Sequence, residues 1–278
     1  MNYLSVCSGI EAATVAWHHL GWKPVGFSEI EKFPSQVLAH HYPNVTNYGD
    51  MTKFKEWNIN EPVNLLVGGT PCQSFSVSGL RRGMDDPRGN LALVYLGIAD
   101  KFLPEWIVWE NVPGVLSANS GRDFGAFLGA LVKLGYGFAY RVLDAQYFGV
   151  AQRRRRVFVV GHLGDWRSAA KVLFEQDCCK RDIEAIPKRF IRGRRKNLTG
   201  CLSTRVGAYD RQDLDILIYD YNKMTVRNLT PNECEALQSF PKDYTKVGEY
   251  TDAKRYKALG NSMAVPVMRW IGERINDA

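Results

Sequence analysis

The chain has 278 residues, 45% of them hydrophobic and 23% charged, with a formal net charge of +7. That content can bury a full core and leave a smaller second module, and the positive balance points mildly to a polyanionic partner. No window reaches the roughly 18 uncharged apolar residues of a membrane span, and no basic stretch followed by an apolar run opens the chain, so no membrane partner is expected and the cytoplasm is the expected compartment.

In chain order, β-rich runs fall at 3–6 (YLSV), 24–28 (PVGFS), 63–67 (VNLLV), 106–109 (WIVW), 140–143 (YRVL) and 156–160 (RVFVV). Helix-like stretches lie between most of them, near 11–20, 31–40, 90–102 and 123–134. This alternation predicts an α/β fold built on a doubly wound, mostly parallel sheet. From about Gly164 to Val226 the alternation stops and the chain becomes basic and loop-like. The expected organisation is therefore a first domain (1–163), a small inserted module (164–226) and a closing segment that returns to the first domain (227–278). In the closing segment, GNSMAVPVMRWIGERI predicts a helix packed back on the sheet. Asn261 or Ser262 is its expected N-cap, Pro266 lies in its first turn, and Ala264, Val267, Ile271 and Ile275 share one face.

The positive charge is concentrated. Between Cys178 and Arg205 there are nine basic residues and two acidic ones, and a second cluster, QRRRR at 152–156, abuts the apolar run Val157–Val160. One such run is ordinarily a solvated face, and two in one chain strengthen a nucleic-acid reading. Six cysteines (7, 72, 178, 179, 201 and 234) fall at no metal-ligand spacing, so neither a metal nor a disulfide framework is expected.

In an open parallel sheet, ligands bind beyond the carboxyl ends of the strands. Those positions carry CSGIEA (7–12), SEIE (28–31), GGTPCQ (68–73) and ENVPG (110–114), with YGDM at 48–51. The first turn has one glycine, Gly9, and Glu11 then opens the helix. A carboxylate there would repel a pyrophosphate and compete for the helix amides, which disfavours a nicotinamide dinucleotide. A cofactor with an adenosine but no phosphate is left, and Glu29, 20 residues beyond Gly9, is placed to bind ribose hydroxyls. S-adenosylmethionine meets both conditions. Cys72 and Glu110 end neighbouring strand candidates, so a thiol and a carboxyl could converge on one cleft. Read alone, Cys72 is either a buried small hydrophobe or a nucleophile, and Glu110 either a turn residue or the partner of that nucleophile.

Taken together and in this order, the motifs resemble those of the DNA cytosine-5 methyltransferases over nearly the whole chain. VCSGIEA is similar to the family's S-adenosylmethionine loop, SEIE to its ribose-binding turn and YGDM to its adenine-contacting turn. GGTPCQSFS resembles the nucleophile loop, RGNL (88–91) the helix start that follows, ENVPG the acid motif and QRRRR the arginine motif. RNLTPNECEALQSFP (227–241) and LGNSMAVP (259–266) resemble the two closing motifs. The resemblance implies a Rossmann-like methyltransferase fold in which 164–226 is a target recognition domain, and methyl transfer to C5 of a cytosine flipped out of duplex DNA.

It further implies that Cys72 attacks C6 as a thiolate and that Glu110 holds N3 and the exocyclic amine as the acid. Arg154 and Arg156 become the functional arginines, with Arg156 the better candidate for cytosine O2 and for orienting Glu110; alternation along a strand turns Arg153 and Arg155 elsewhere. The implied cofactor set is Cys7, Ser8, Gly9, Ile10, Glu29, Ile30, Asp50, Met51, Pro71, Leu91, Asn261, Ser262 and Met263. DNA contacts are implied for Gln73 and Ser76 of the nucleophile loop and for Arg192, Arg194, Arg195 and Lys196 of the basic run, with Arg205, Tyr209, Arg211 and Gln212 as candidate base readers. A monomer is the expected state, and a cognate restriction endonuclease is a candidate partner.

Three departures from the family pattern predict weaker S-adenosylmethionine binding than in a typical member. Cys7 stands where an aromatic usually covers adenine, Glu11 where glycine is usual, and Ile30 where the acidic turn often carries an aromatic. The rival readings are a transfer-RNA cytosine-5 methyltransferase, a catalytically silent DNA-binding relative and a thiol hydrolase. Intact Cys72, Glu110, Arg154 and Arg156 argue against the second, and five histidines at no familiar spacing to Cys72 argue against the third.

Overall fold

Six strands share one sheet in the computed structural model, which describes residues 1–71, 91–174, 217–220 and 225–278. They are β1 (Asn2–Val6), β2 (Lys23–Ser28), β3 (Leu65–Gly68), β4 (Trp106–Asn111), β5 (Tyr136–Asp144) and β6 (Arg155–Leu163), in the order β2-β1-β3-β4-β6-β5. The neighbours from β2 to β4 are parallel, whereas β6 runs antiparallel to both β4 and β5. The described helices are α1 (Ala12–Trp17), α2 (Lys32–His41), α3 (Leu91–Phe102), α4 (Arg122–Lys133), α5 (Trp166–Leu173), α6 (Pro231–Leu237), α7 (Asp252–Asn261) and α8 (Val265–Asn276). A separate antiparallel pair joins β7 (Leu217–Asp220) and β8 (Thr225–Asn228).

Near-continuous apolar strands demand cover on both faces. Tyr3, Leu65, Val67, Val108, Phe158 and Val160 face a core completed by α1, α2, α5 and α8. Their alternates Leu4, Val6, Leu66, Ile107, Trp109, Val157 and Val159 face a second core completed by α3 and α4. The closing helix is fastened to the first one by Trp17, which is fully buried and donates its indole N–H to the Met268 carbonyl at 2.7 Å across 251 residues of sequence. The approach is close enough that a Cβ at Gly272 would overlap the Trp17 indole.

Five local expectations change. The sheet is mostly parallel as expected, and the change is that β6 alone is reversed where it enters between β4 and β5. Pairing with β6 carries β4 on through Glu110 and Asn111, and β5 is also longer than the run at 140–143. β3 occupies Leu65–Gly68, starting two residues later than its apolar run, where it can pair with β1 and β4. Asn261 ends α7 and Ser262 caps its C-terminus, so the N-cap of α8 is Ala264, with no side-chain hydrogen bond. Within 164–226, Asp165 caps α5 by accepting from the Arg167 N–H at 2.9 Å, and Ala169, Val172 and Leu173 join the first core. No described helix is long and apolar enough to cross a membrane.

Gly272→Ala must push α8 off α1 or displace the Trp17 ring. Overpacking of this kind costs about 1–3 kcal/mol, and thermal denaturation should show a fall in the midpoint of roughly 2–4 °C per kcal/mol. An unchanged midpoint would contradict the contact.

Candidate active site at the carboxyl edge of the sheet

Strand register brings the site together. Ser28, Val6, Gly68 and Trp109 stand in one row across β2, β1, β3 and β4, so the next residues, Glu29, Cys7, Gly69 and Glu110, emerge side by side at the carboxyl edge. All four line a cavity of about 370 Å³, together with Gly9, Ile30, Asp50, Met51, Pro71, Leu91, Arg154, Arg156 and Asn261. Ser8, Ser262 and Met263 line an adjoining recess of about 40 Å³ that shares Cys7, Gly9, Gly69 and Glu110 with it. Ile10 is the exception in the expected cofactor set. Its side chain is fully buried in the first core and lines neither space, and its carbonyl accepts from the Tyr244 hydroxyl at 2.9 Å. The reason lies in the turn, where Gly9 (φ 56) and Glu11 (φ 63) are both left-handed and Ile10 between them goes into the core.

On the cofactor side, the Glu29 carboxylate accepts from the Gly9 N–H at 2.8 Å and from the Glu31 N–H at 2.7 Å. Asp50 caps the short turn Met51–Glu56, its Oδ1 accepting from the Thr52 N–H at 2.9 Å and from the Thr52 hydroxyl at 2.8 Å. Cys7 sits in the left-handed region (φ 49) with its Sγ 3.4 Å from Met51 Sδ. Burial, and then the charge of Glu29, push its thiol up to about 12, so it is a neutral wall of the cavity and not a thiolate. Ile30 stands at the cavity mouth, 73% exposed.

At the other end the chemistry is acidic and guanidinium-based. Glu110 is buried, and its Oε1 lies 3.1 Å from Arg156 Nε. Burial raises its pKa, opposed in part by the charges of Arg154 and Arg156, and the net effect is a carboxyl held above its ordinary range. Gly69 makes room for that carboxyl, since a Cβ there would come 2.9 Å from Glu110 Oε2 and 3.2 Å from Met263 Cε. Arg154, 3% exposed, donates to the carbonyls of Gly260 (3.2 Å) and Ser262 (2.7 Å), while Arg153 and Arg155 are exposed. Arg154 thus tethers the closing segment, and Arg156 sets the acid.

Sequence reasoning missed the anchors of the turn after β3. The Asn111 amide donates to the Thr70 carbonyl at 2.9 Å, and the Trp109 indole donates to the Thr70 hydroxyl at 3.0 Å. No pattern signals these partners, because they are 41 and 39 residues apart in the chain. Cys72, Gln73, Ser76, Arg192, Arg194, Arg195, Lys196, Arg205, Tyr209, Arg211 and Gln212 lie outside the described residues. Among the described residues, no three His, Cys, Asp or Glu side chains are grouped to hold a metal.

The cavity falls within the usual range of roughly 300–1,000 Å³ for a small-molecule site. Its donor set suits an adenosine cofactor: two carboxylates, Glu29 and Asp50, project at neighbouring turns as acceptors for hydroxyls or an amine. The backbone amides that would cradle a phosphate are already taken, that of Gly9 by Glu29 and that of Thr14 by Glu11. A Rossmann-like sheet with such a pocket beside a buried acid–arginine pair is that of an S-adenosylmethionine-dependent methyltransferase. More narrowly, the chain belongs to the C-5 cytosine-specific DNA methylase family, whose model matches residues 1–212 and 180–277.

Two relatives and one solved structure place it further. The chain is 33% identical to the DNA N-6-adenine-methyltransferase of Escherichia phage P1, over 99% of this chain but 61% of that protein, so it spans less than two thirds of that relative. It is 30% identical to the Type II methyltransferase M.MspI of Moraxella sp, over 99% of this chain and 70% of the relative. A crystal structure of a Spodoptera frugiperda DNMT2 mutant superposes with a TM-score of 0.72 over 99% of both chains at 19% identity, a likeness of fold.

Gly69→Ala should displace Glu110 without unfolding the sheet. A shift of about 1 Å at a reacting group costs on the order of 10²-fold in rate, so methyl transfer at saturating S-adenosylmethionine should fall by about that factor. Wild-type turnover in the variant would remove Glu110 from the chemistry.

Proposed function

We propose that the protein transfers a methyl group to C5 of a cytosine flipped out of duplex DNA, through a covalent adduct with Cys72. The observation that carries this reading is the buried Glu110 carboxyl, 3.1 Å from Arg156 and one strand away from the turn that leads to Cys72. C5 of cytosine is a poor nucleophile until a group adds at C6. Cys72 adds there as a thiolate, and Glu110, whose protonated form burial favours, gives a proton to N3 as the ring electrons shift. Arg156 keeps that carboxyl in place and reaches O2. S-adenosylmethionine supplies the electrophilic methyl group. C5 takes it and the cofactor is left as the neutral thioether; the C5 proton passes to water, the C6–S bond breaks to restore the Cys72 thiolate, and N3 returns its proton to Glu110.

In this reading 164–226 is the recognition module, with α5 docked on the catalytic core, Arg192, Arg194, Arg195 and Lys196 on phosphates, and Arg205, Tyr209 and Arg211 near base edges. Gln73 and Ser76 of the nucleophile loop contact DNA beside the flipped base. The segment 227–278 returns to complete the cofactor pocket through Asn261, Ser262 and Met263. The protein acts as a cytoplasmic monomer, with a cognate restriction endonuclease as the partner to look for.

The test is methyl-labelled S-adenosylmethionine offered with duplex DNA and with transfer RNA, followed by digestion to nucleosides. Label is expected in 5-methylcytosine from DNA, absent with Cys72→Ala and reduced by about 10²–10⁴-fold with Glu110→Gln. Label in transfer RNA alone would move the substrate, and label in N6-methyladenine would carry over the name of the phage P1 relative and end the Cys72 mechanism. DNA affinity should also fall by about a thousandfold between 50 and 200 mM salt if the basic run grips six or more phosphates. A flat response would take the phosphate contacts away from that run.

A further inference from the structure

One carboxylate ties the two ends of the cofactor loop together. Glu11, left-handed at φ 63, turns its side chain inward until the residue is 1% exposed. Its Oε2 accepts from the Ser5 hydroxyl on β1 at 2.7 Å. Its Oε1 accepts from the N–H (3.2 Å) and the hydroxyl (3.1 Å) of Thr14 on α1. Strand and helix are thus joined across Cys7–Ile10, the segment whose Gly9 N–H is held by Glu29, and Glu11 itself lines the recess beside Ser262 and Met263. Three phenols face it: Tyr3 of β1, whose hydroxyl is 2.6 Å from Thr14 Oγ1, Tyr42 just after α2, and Tyr244 after α6. Tyr42 and Tyr244 bond to each other at 3.0 Å, and His41 stacks on Tyr244 at 4.0 Å. Across the recess stand Cys7 and Glu110. Among the described residues, no lysine or arginine neutralises Glu11.

We propose that Glu11 is a positioning residue for S-adenosylmethionine, holding the cofactor loop in its binding shape and presenting negative charge to a cofactor whose sulfonium and ammonium outweigh its single carboxylate. The proposal rests on the cavity being the S-adenosylmethionine site. It turns the sequence departure at Glu11 into a condition on binding. Burial raises the Glu11 carboxyl to about 7, against the donated bonds of Ser5 and Thr14, so near neutrality much of it is protonated. A protonated carboxyl donates where a carboxylate accepts, so one of the hydroxyl bonds must reverse and the charge is lost. A cationic ligand favours the ionised form, so binding lowers the pKa of Glu11 and releases a proton. Affinity therefore rises as pH climbs through about 7 and is weaker below it.

Titration calorimetry of S-adenosylmethionine on the whole protein at pH 5.5 and 7.5, with wild type and Glu11→Gln, tests this. One unit of pKa shift on binding is worth at most about tenfold in affinity, and with the Glu11 pKa at about 7 wild type should bind about sixfold tighter at pH 7.5 than at 5.5, Glu11→Gln less than about twofold. The ligand's own amino group titrates in both experiments and cancels in the comparison. Equal pH slopes would overturn the proposal. Should Glu11→Gln not fold, Ser5→Ala decides: losing the hydroxyl that donates to the ionised carboxyl raises the Glu11 pKa, so the pH at which affinity climbs should move upward, and an unchanged pH profile overturns the proposal. Binding that is intact but independent of pH sinks the role of Glu11 alone, whereas no binding at either pH in folded protein sinks the cofactor site with it.

Discussion

The reversed direction of β6 beside β4 is the constraint on which the reacting end of the site depends. In a parallel neighbour the residues that precede a strand lie at the edge away from the ligand. Because β6 is antiparallel, its leading residues emerge where β4 ends, and Glu110 stands directly opposite Phe158. Paired residues share a face, and so do residues two apart on one strand. Arg156 is thereby a diagonal neighbour of Glu110 on the same face, close enough for the 3.1 Å ion pair. Burial pushes the carboxyl toward its neutral form, and two guanidinium groups pull it back only in part, so its pKa stays above the ordinary range.

A second set of contacts makes one pocket from the two ends of the chain. Arg154 grips the Gly260 and Ser262 carbonyls, Trp17 grips that of Met268, and Tyr244 grips that of Ile10. The closing segment is stiffened from within. Thr230 and Glu233 form a capping box at the start of α6, and the buried pair Arg255–Glu235 at 3.0 Å joins α7 to α6, with the Thr245 N–H also donated to Glu235 at 2.8 Å. Each bond satisfies a polar group that would be costly to bury alone. Together they hold Asn261, Ser262 and Met263 against a loop that begins at residue 7.

Much of this was legible beforehand. The motif order marked Glu29 and Asp50 for a cofactor and Glu110, Arg154 and Arg156 for catalysis, and all five line one cavity. The split between the buried and outward arginines followed from the two-residue repeat of a strand. Other features resisted. Asn261 and Ser262 look like helix caps because capping residues before Pro266 are a local signal, yet the turn from α7 puts Ala264 at the helix start. Ile10 looks like a cofactor contact until the left-handed residues on either side turn it into the core.

What the sequence by itself determined is whatever depends on near neighbours: which runs are strands, which faces are apolar, where helices lie and which chemical groups follow each strand. The tertiary structure alone decided the direction of β6, the anchoring of Thr70 by Asn111 and Trp109, and the turning of Glu11 inward onto Ser5 and Thr14. The physical reason is that a hydrogen bond or ion pair between distant residues leaves no periodic trace in the chain. Its geometry, and with it the protonation of Glu110 and Glu11, is set only when strands are brought into register and water is excluded.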